Sequence, residues 1–238
     1  MMPGTLYLIP CPVSDETTPA EVTPAANMSV INSLDYFIVE NIRSARRFLS
    51  KAKIARPIDE LEFRELNEHT TSPREIEELV APLLAGRSAG VISEAGVPAV
   101  ADPGAAVVAL CHRKGVRVVP LVGPSSIILA MMASGQNGQS FAFNGYLPVK
   151  EPERVKAVKK FEARAVAENQ AQIFIETPYR NAKLFDSLLK ICRQETMLTV
   201  AADLTSPSEF VATHTIKEWA KLPAPDFAKR PSIFILGR

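Results

Sequence analysis

AGVISEAGVPAVADPGAAVVALCHRKGVRVVPLVGPSS, residues Ala89–Ser126, decides the architecture of this chain. The run Gly90–Ser93 is short and apolar, as a buried strand is, and Glu94–Asp102 is a loop of glycine and proline. A helix then opens at Pro103, with Val107, Val108, Leu110 and Cys111 turned inward until Gly115 stops it. A second strand, Val116–Pro120, a second loop, Leu121–Ser126, and another helix repeat the pattern. Two strand–loop–helix units in succession predict a parallel sheet whose loops gather along the carboxyl edge of the strands, where such sheets bind small molecules.

Outward from this stretch, buried strands are expected at Thr5–Ile9 and Tyr36–Glu40. Ser72-Pro73-Arg74-Glu75 carries an N-cap, a proline at the first helical position and a capping-box glutamate. Ile76, Leu79, Val80, Leu83 and Leu84 follow on one face, and Gly86 marks the end. Ser14–Pro24 has the composition of a mobile loop. Beyond the loop Ser134–Gln139 come a strand Phe141–Leu147, a charged and solvated helix Glu151–Glu168, and a strand Gln172–Glu176. A helix from Tyr179 carries Leu184, Phe185, Leu188, Leu189 and Cys192 on one side. Strands at Met197–Ala202, Phe210–Thr215 and Ser232–Gly237 close the chain with short connections, which indicates a mixed sheet. The simplest division is two α/β domains, 1–120 with a parallel sheet and flanking helices, and 121–238 with a mixed sheet.

The 238 residues include 27 basic and 26 acidic side chains, so no global positive field marks a nucleic-acid binder, and such a partner would have to be held by a local patch. Cys11, Cys111 and Cys192 are far apart, form no CxxC pair, and indicate a reducing compartment rather than a disulfide framework or a metal site. MMPGTLYLIPCP has no basic leader and the apolar run Ile127–Ala133 is too short to span a bilayer, so a soluble cytoplasmic protein is expected.

Neither a GxGxxG fingerprint nor a P-loop is present. Glycine is paired with proline instead, in Gly96-Val-Pro98, Asp102-Pro-Gly104 and Gly123-Pro-Ser125. Glycine admits a close backbone approach, proline sets the entry to a helix, and the helix N-termini offer free N–H groups to polar ligand atoms. Each motif alone reads as an ordinary turn; three along one sheet point to a ligand cleft.

SEAGVPAVADPG followed by VVPLVGPSS resembles the paired signature of the tetrapyrrole methylase family, the class III methyltransferases dependent on S-adenosylmethionine. The nearest likeness is to the branch that 2′-O-methylates a cytidine ribose of small-subunit ribosomal RNA, which reads roughly SDAGTPxxSDPG and VxPxPGPSA. GTLYLIPCP, FIVENIRSARRFL, NEHT, FAFNGYLP, FIETPYR and AADLTSPSEF resemble further family segments in the same order. The resemblance implies two α/β domains with the methyl donor in a cleft between them, a homodimer, and a ribosomal RNA or small-subunit acceptor. Carried over by position, it places the donor on Glu94, Ala95, Gly96, Val97, Ser125 and Ser126, with further contacts from Tyr146, Pro178 and Ala202.

A ribose hydroxyl acceptor calls for a group that assists loss of its proton. Glu40 at a strand end and Arg43 in the next helix match the family's segment and are the expected catalytic pair. Glu68 and His69, after the run Arg64–Leu66, are further candidates. His112 lies where a helix dipole favours it, and His214 carries no cue. The donor-side loops follow the family pattern more closely than the acceptor side, where Val39-Glu-Asn-Ile-Arg-Ser-Ala45 stands in place of AEDTRHT. Two alternatives therefore stay open: the same chemistry on a tetrapyrrole or other small molecule, and a donor-binding protein without turnover.

Overall fold

The computed structural model describes residues 2–66, 72–227 and 229–238, which excludes the candidates Glu68 and His69. Two compact units divide between Ser125 and Ser126. The loop 121–125 belongs to the first, held there by Leu121 N donating to Leu8 O (2.9 Å) and Asn27 Nδ2 to Val122 O (2.8 Å).

The first unit comprises β1 (Thr5–Ile9), α1 (Pro19–Val22), α2 (Ala26–Ser33), β2 (Tyr36–Val39), α3 (Ile42–Lys51), β3 (Glu62–Glu65), α4 (Pro73–Leu84), β4 (Ala89–Ile92), α5 (Gly104–Arg113) and β5 (Arg117–Pro120). Its five strands lie in the order β3-β2-β4-β1-β5, all parallel. The chain moves one way across the sheet from β1 and the other way from β3, so right-handed crossovers put helices on both faces. The core is split accordingly. Leu6, Tyr36, Ile38 and Val91 pack with Ile76, Leu79, Val80, Val107 and Leu110 of α4 and α5. Ile9, Phe37, Val39 and Ile92 pack with Ile31, Phe48 and Leu49 of α2 and α3.

The second unit comprises α6 (Ser126–Ser134), β6 (Phe141–Tyr146), α7 (Glu151–Ala167), β7 (Ala171–Glu176), α8 (Asn181–Ile191), β8 (Met197–Ala202), β9 (Phe210–Thr215), α9 (Ile216–Trp219) and β10 (Ser232–Gly237). Its sheet, ordered β6-β7-β10-β8-β9, is mixed: β6 and β7 are parallel, and β10 runs against both β7 and β8. Phe174, Val200 and Phe234 face α7 and α8, while Ile173, Ala201 and Ile235 face α6.

Several expectations are corrected. Residues 14–24 are not simply a loop, because Thr18 and Glu21 close a capping box on the helical turn Pro19–Val22. Leu84 ends α4 40% exposed rather than facing the core. The helix α7 is solvated on most of its charged surface, as expected, with two exceptions. Arg154 and Glu162 are buried, and Glu162 accepts from Arg193 N and Thr196 Oγ1, both at 2.6 Å, tying the helix to the turn before β8. Among the described residues no helix is long and apolar enough to cross a membrane.

Candidate active site

Four loops leave the carboxyl edge of the first sheet from adjacent strands, β2, β4, β1 and β5. They are fastened to one another. Cys11 and Gly96 form an isolated bridge between the loops after β1 and β4. The loop after β5 lies flat on the loop after β1, since a Cβ built on Gly123 would fall 2.3 Å from Pro10 Cβ. The Ser44 hydroxyl in α3 donates to Glu94 Oε1 at 3.2 Å, which links the segment after β2 to the loop after β4. Beyond β2 the ladder runs one residue further, with Glu40 N donating to Ile92 O at 3.3 Å.

Glu94 and Ala95 are exposed, Gly96 is buried, and Val97 is half-buried. Gly96 adopts φ +69°, the left-handed region that glycine occupies without strain. The same loop holds Ala99 at φ +67° and Ala101 at φ +59°, where a Cβ is strained. Asp102 maintains this conformation: its Oδ1 accepts from Ala99 N at 2.9 Å and Gly104 N at 2.7 Å. Burial pushes the Asp102 carboxyl above the ordinary carboxylate value, against those two amides, which pull it down. The sequence places Asp102 at the end of this loop, where the helix begins, and Asp-Pro-Gly carries the signal for the contact, since aspartate readily accepts from the amide two residues on.

Glu40 lines a small cavity with Asp102, Pro103 and Gly104, between β2 and β4. Arg43, exposed in the first turn of α3, is not among the residues lining it, and its guanidinium makes no hydrogen bond or ion pair among the described residues. The two expected catalytic residues therefore stand at one edge, with Asp102 rather than Arg43 sharing the Glu40 cavity.

In the second unit, Glu176 and Ala202 both stand opposite Ser232, and Tyr146 opposite Ile175. This register brings Tyr146, Pro178 and Ala202 to one edge of the second sheet. Tyr146 is exposed, Pro178 half-buried and Ala202 buried. A bulge between Phe143 and Tyr146, with Gly145 at φ +65°, re-aims the end of β6. Two ion pairs that sequence reading did not single out brace this edge. Arg180 donates to Glu176 Oε1 through Nε (3.0 Å) and Nη2 (2.7 Å), and Arg230 Nε donates to Asp203 Oδ2 at 2.6 Å. Asp203 at φ +49° and Thr205 at φ +71° are left-handed without being glycine.

The loops of the first unit carry polar groups suited to a nucleoside-bearing amino-acid sulfonium. The Glu94 carboxylate is exposed in a glycine turn. Ser125 and Ser126 present half-buried hydroxyls with no side-chain hydrogen bond among the described residues, where α6 begins. A carboxylate of this kind suits an ammonium, and a free hydroxyl suits a carboxylate or ribose oxygen, the polar groups that S-adenosylmethionine carries.

A profile of the family described as Tetrapyrrole (Corrin/Porphyrin) Methylases matches residues 6–220. Among curated proteins, Ribosomal RNA small subunit methyltransferase I of Vibrio cholerae serotype O1 is 30% identical over 231 residues, 97% of this chain and 75% of that protein. The Xylella fastidiosa protein of the same name is 29% identical, over 98% of this chain and 81% of its own length. Among solved structures, the methyltransferase CobJ matches at a TM-score of 0.63 and 15% identity, covering 99% of this chain and 94% of its own. A uroporphyrin-III C-methyl transferase from Thermus thermophilus, complexed with S-adenyl homocysteine, matches at 0.56 and 16%, covering 99% and 98%. Those two likenesses speak to the fold. Profile and relatives together establish that the chain belongs to the tetrapyrrole methylase family and is an S-adenosylmethionine-dependent methyltransferase.

Proposed function

We propose that this enzyme methylates a ribose 2′-hydroxyl of small-subunit ribosomal RNA. The observation that carries the reading is the contrast between relatives. Two proteins named Ribosomal RNA small subunit methyltransferase I are 29–30% identical over 97–98% of the chain, whereas the structural neighbours named for precorrin or uroporphyrin substrates share only 14–18%. A tetrapyrrole acceptor is the weaker alternative.

S-adenosylmethionine supplies an electrophilic methyl group on a sulfonium when bound. We assign its contacts to Glu94, Ala95, Gly96, Val97, Ser125 and Ser126, with Tyr146, Pro178 and Ala202 as further contacts. Glu40 takes or orients the hydroxyl proton, and Arg43 holds a phosphate or the developing negative charge. Most of the rate then comes from alignment, since methyl transfer is a single in-line displacement. A ribosomal acceptor places the enzyme in the cytoplasm, and we expect it to act as a symmetric homodimer.

Radiolabelled methyl transfer to small ribosomal subunits lacking the modification tests the acceptor. Label in the RNA is expected. Label only in a porphyrin supplied alongside would move the assignment to the alternative, and S-adenosylhomocysteine binding without any transfer would make this a donor-binding protein. A monomer by light scattering at micromolar concentration would count against the dimer.

A further inference from the structure

The helix α3 carries its charge on one side only. Arg43, Arg46, Arg47 and Lys51 recur at helical spacing away from the buried Ala45, Phe48 and Leu49, and no acidic residue lies in Ile42–Lys51. In a chain of 27 basic and 26 acidic residues this is a local concentration, not the overflow of a general excess. Helix stability does not call for it. A helix gains from acidic residues in its first turn and from glutamate–lysine pairs four apart, and α3 has neither. Arg43 stands in the first turn, where the dipole opposes a cation; only Lys51, in the last turn, is favoured by it.

The charges are also available. Arg46 pairs with Asp59, and Arg47 with Asp15 at 3.2 Å, through aspartate side chains 89% and 80% exposed. Lys51 Nζ donates to the Asp15 carbonyl at 2.9 Å. Pairs this exposed contribute little and exchange readily for another anion. The stripe leads to the site: Ser44, Arg47 and Lys51 line a polar cavity with Ser14, Asp15 and Glu94 at the loops after β1 and β4.

Arg43, Arg47 and Lys51 recur every fourth residue, about 6 Å apart along the axis and about 12 Å end to end. Over that length a single nucleic-acid strand presents successive phosphates within reach of the three cations. We propose that the cationic face of α3 is a track for a single-stranded RNA backbone, laying a ribose at the carboxyl edge of the first sheet. The proposal rests on the ribosomal RNA reading above. Contacts of this kind set position and leave sequence choice to other groups.

Two variants test it, both sparing Arg43: R46Q/R47Q/K51Q, and D15N/D59N, which frees two arginines. Each is titrated with a fluorescein-labelled single-stranded RNA oligonucleotide across a salt series, assayed for methyl transfer to unmodified small subunits, and checked for S-adenosylhomocysteine affinity. The triple variant is expected to bind the RNA at least about tenfold more weakly, with a log affinity against log salt slope shallower by about 2, at about 0.7 per phosphate contact. Its KM for subunits should rise more than its kcat falls, and donor affinity should stay put. The double variant should bind RNA more tightly and with a steeper slope, which misfolding cannot imitate; it decides the matter if the triple variant loses donor affinity. Wild-type slopes in both variants, with wild-type enzyme active on subunits, would overturn the track alone. Wild-type enzyme that neither binds the RNA nor methylates subunits would overturn the acceptor reading and the track with it.

Discussion

Cys11 and Gly96 share two backbone hydrogen bonds, Cys11 N to Gly96 O at 2.8 Å and Gly96 N to Cys11 O at 3.2 Å. Both polar backbone groups of Gly96 are thereby engaged by protein. Its glycine serves the turn, at φ +69°, and a Cβ there would meet nothing closer than Pro124 O at 3.6 Å. Dihedral angle, not space, is the constraint.

Gly96→Val should therefore break the bridge and lower S-adenosylhomocysteine affinity by at least about tenfold while the chain stays folded, since a left-handed L-residue costs about 1–2 kcal/mol and a β-branched one more. Calorimetry beside circular dichroism checks this. Unchanged affinity in a folded variant would remove the loop from the donor site.

Gly123 is constrained in the opposite way, by space. Gly123→Ala drives a methyl into Pro10, with Cβ–Cβ at 2.3 Å, so one loop must shift. Overpacking of this kind costs about 1–3 kcal/mol, readable as a lower denaturation midpoint. A midpoint equal to wild type would mean that the loops after β1 and β5 are not in contact.

Asp102 separates hydrogen bonding from charge. Burial raises its carboxyl pKa in the folded state, so its contribution to stability is full below the ordinary aspartate value and is lost as pH rises through the folded value. Asp102→Asn keeps an oxygen for the Ala99 and Gly104 amides and drops the charge. Relative to wild type it should gain stability as pH rises above the ordinary aspartate value of about 4. Asp102→Ala strands both amides and should cost about 2 kcal/mol or more. A stability difference between the Asn variant and wild type that falls with rising pH would show that the charge is stabilising after all.

Glu40→Ala and Arg43→Ala should each leave donor affinity nearly intact and reduce methyl transfer on the order of a hundredfold. Equal losses in donor binding and turnover would reassign them to the donor site or to folding. Full activity in both would end the case for their catalytic role.

Burial pushes the Cys11 thiol up to about 12 and Cys111 up to about 11, and raises Cys192 further with help from Glu162. Thiolate is the reactive form, so native protein should react with a disulfide reagent at mildly alkaline pH only as fast as it unfolds. One fast thiol in the native state would show that a buried cysteine is open to solvent.

Much of the scaffold was legible because its signals are local. Thr5–Ile9, Met197–Ala202, Phe210–Thr215 and Ser232–Gly237 stand where short strand-like runs put them. Ser72 caps α4 with Glu75 as the motif indicates. The strand Glu62–Glu65 was invisible: Glu-Phe-Arg-Glu is charged, and it is a strand because β2 offers it an open edge. Asn27, buried in α2 and bonded to Val122 O, likewise gave no cue, because its partner lies far along the chain.

The amino-acid sequence by itself determined the two strand–loop–helix repeats, the glycine–proline loops and the one-sided basicity of α3, since spacing, caps and composition act over a few residues. Only the tertiary structure decided which loops touch. Pro10 against Gly123, Cys11 paired with Gly96, Ser44 bonded to Glu94, and Glu40 beside Asp102 are contacts between strands that sheet order makes neighbours. The physical reason is the crossover topology. Strand order β3-β2-β4-β1-β5 sets side by side strand ends that lie far apart in the chain, and nothing in the local sequence of either end encodes its neighbour.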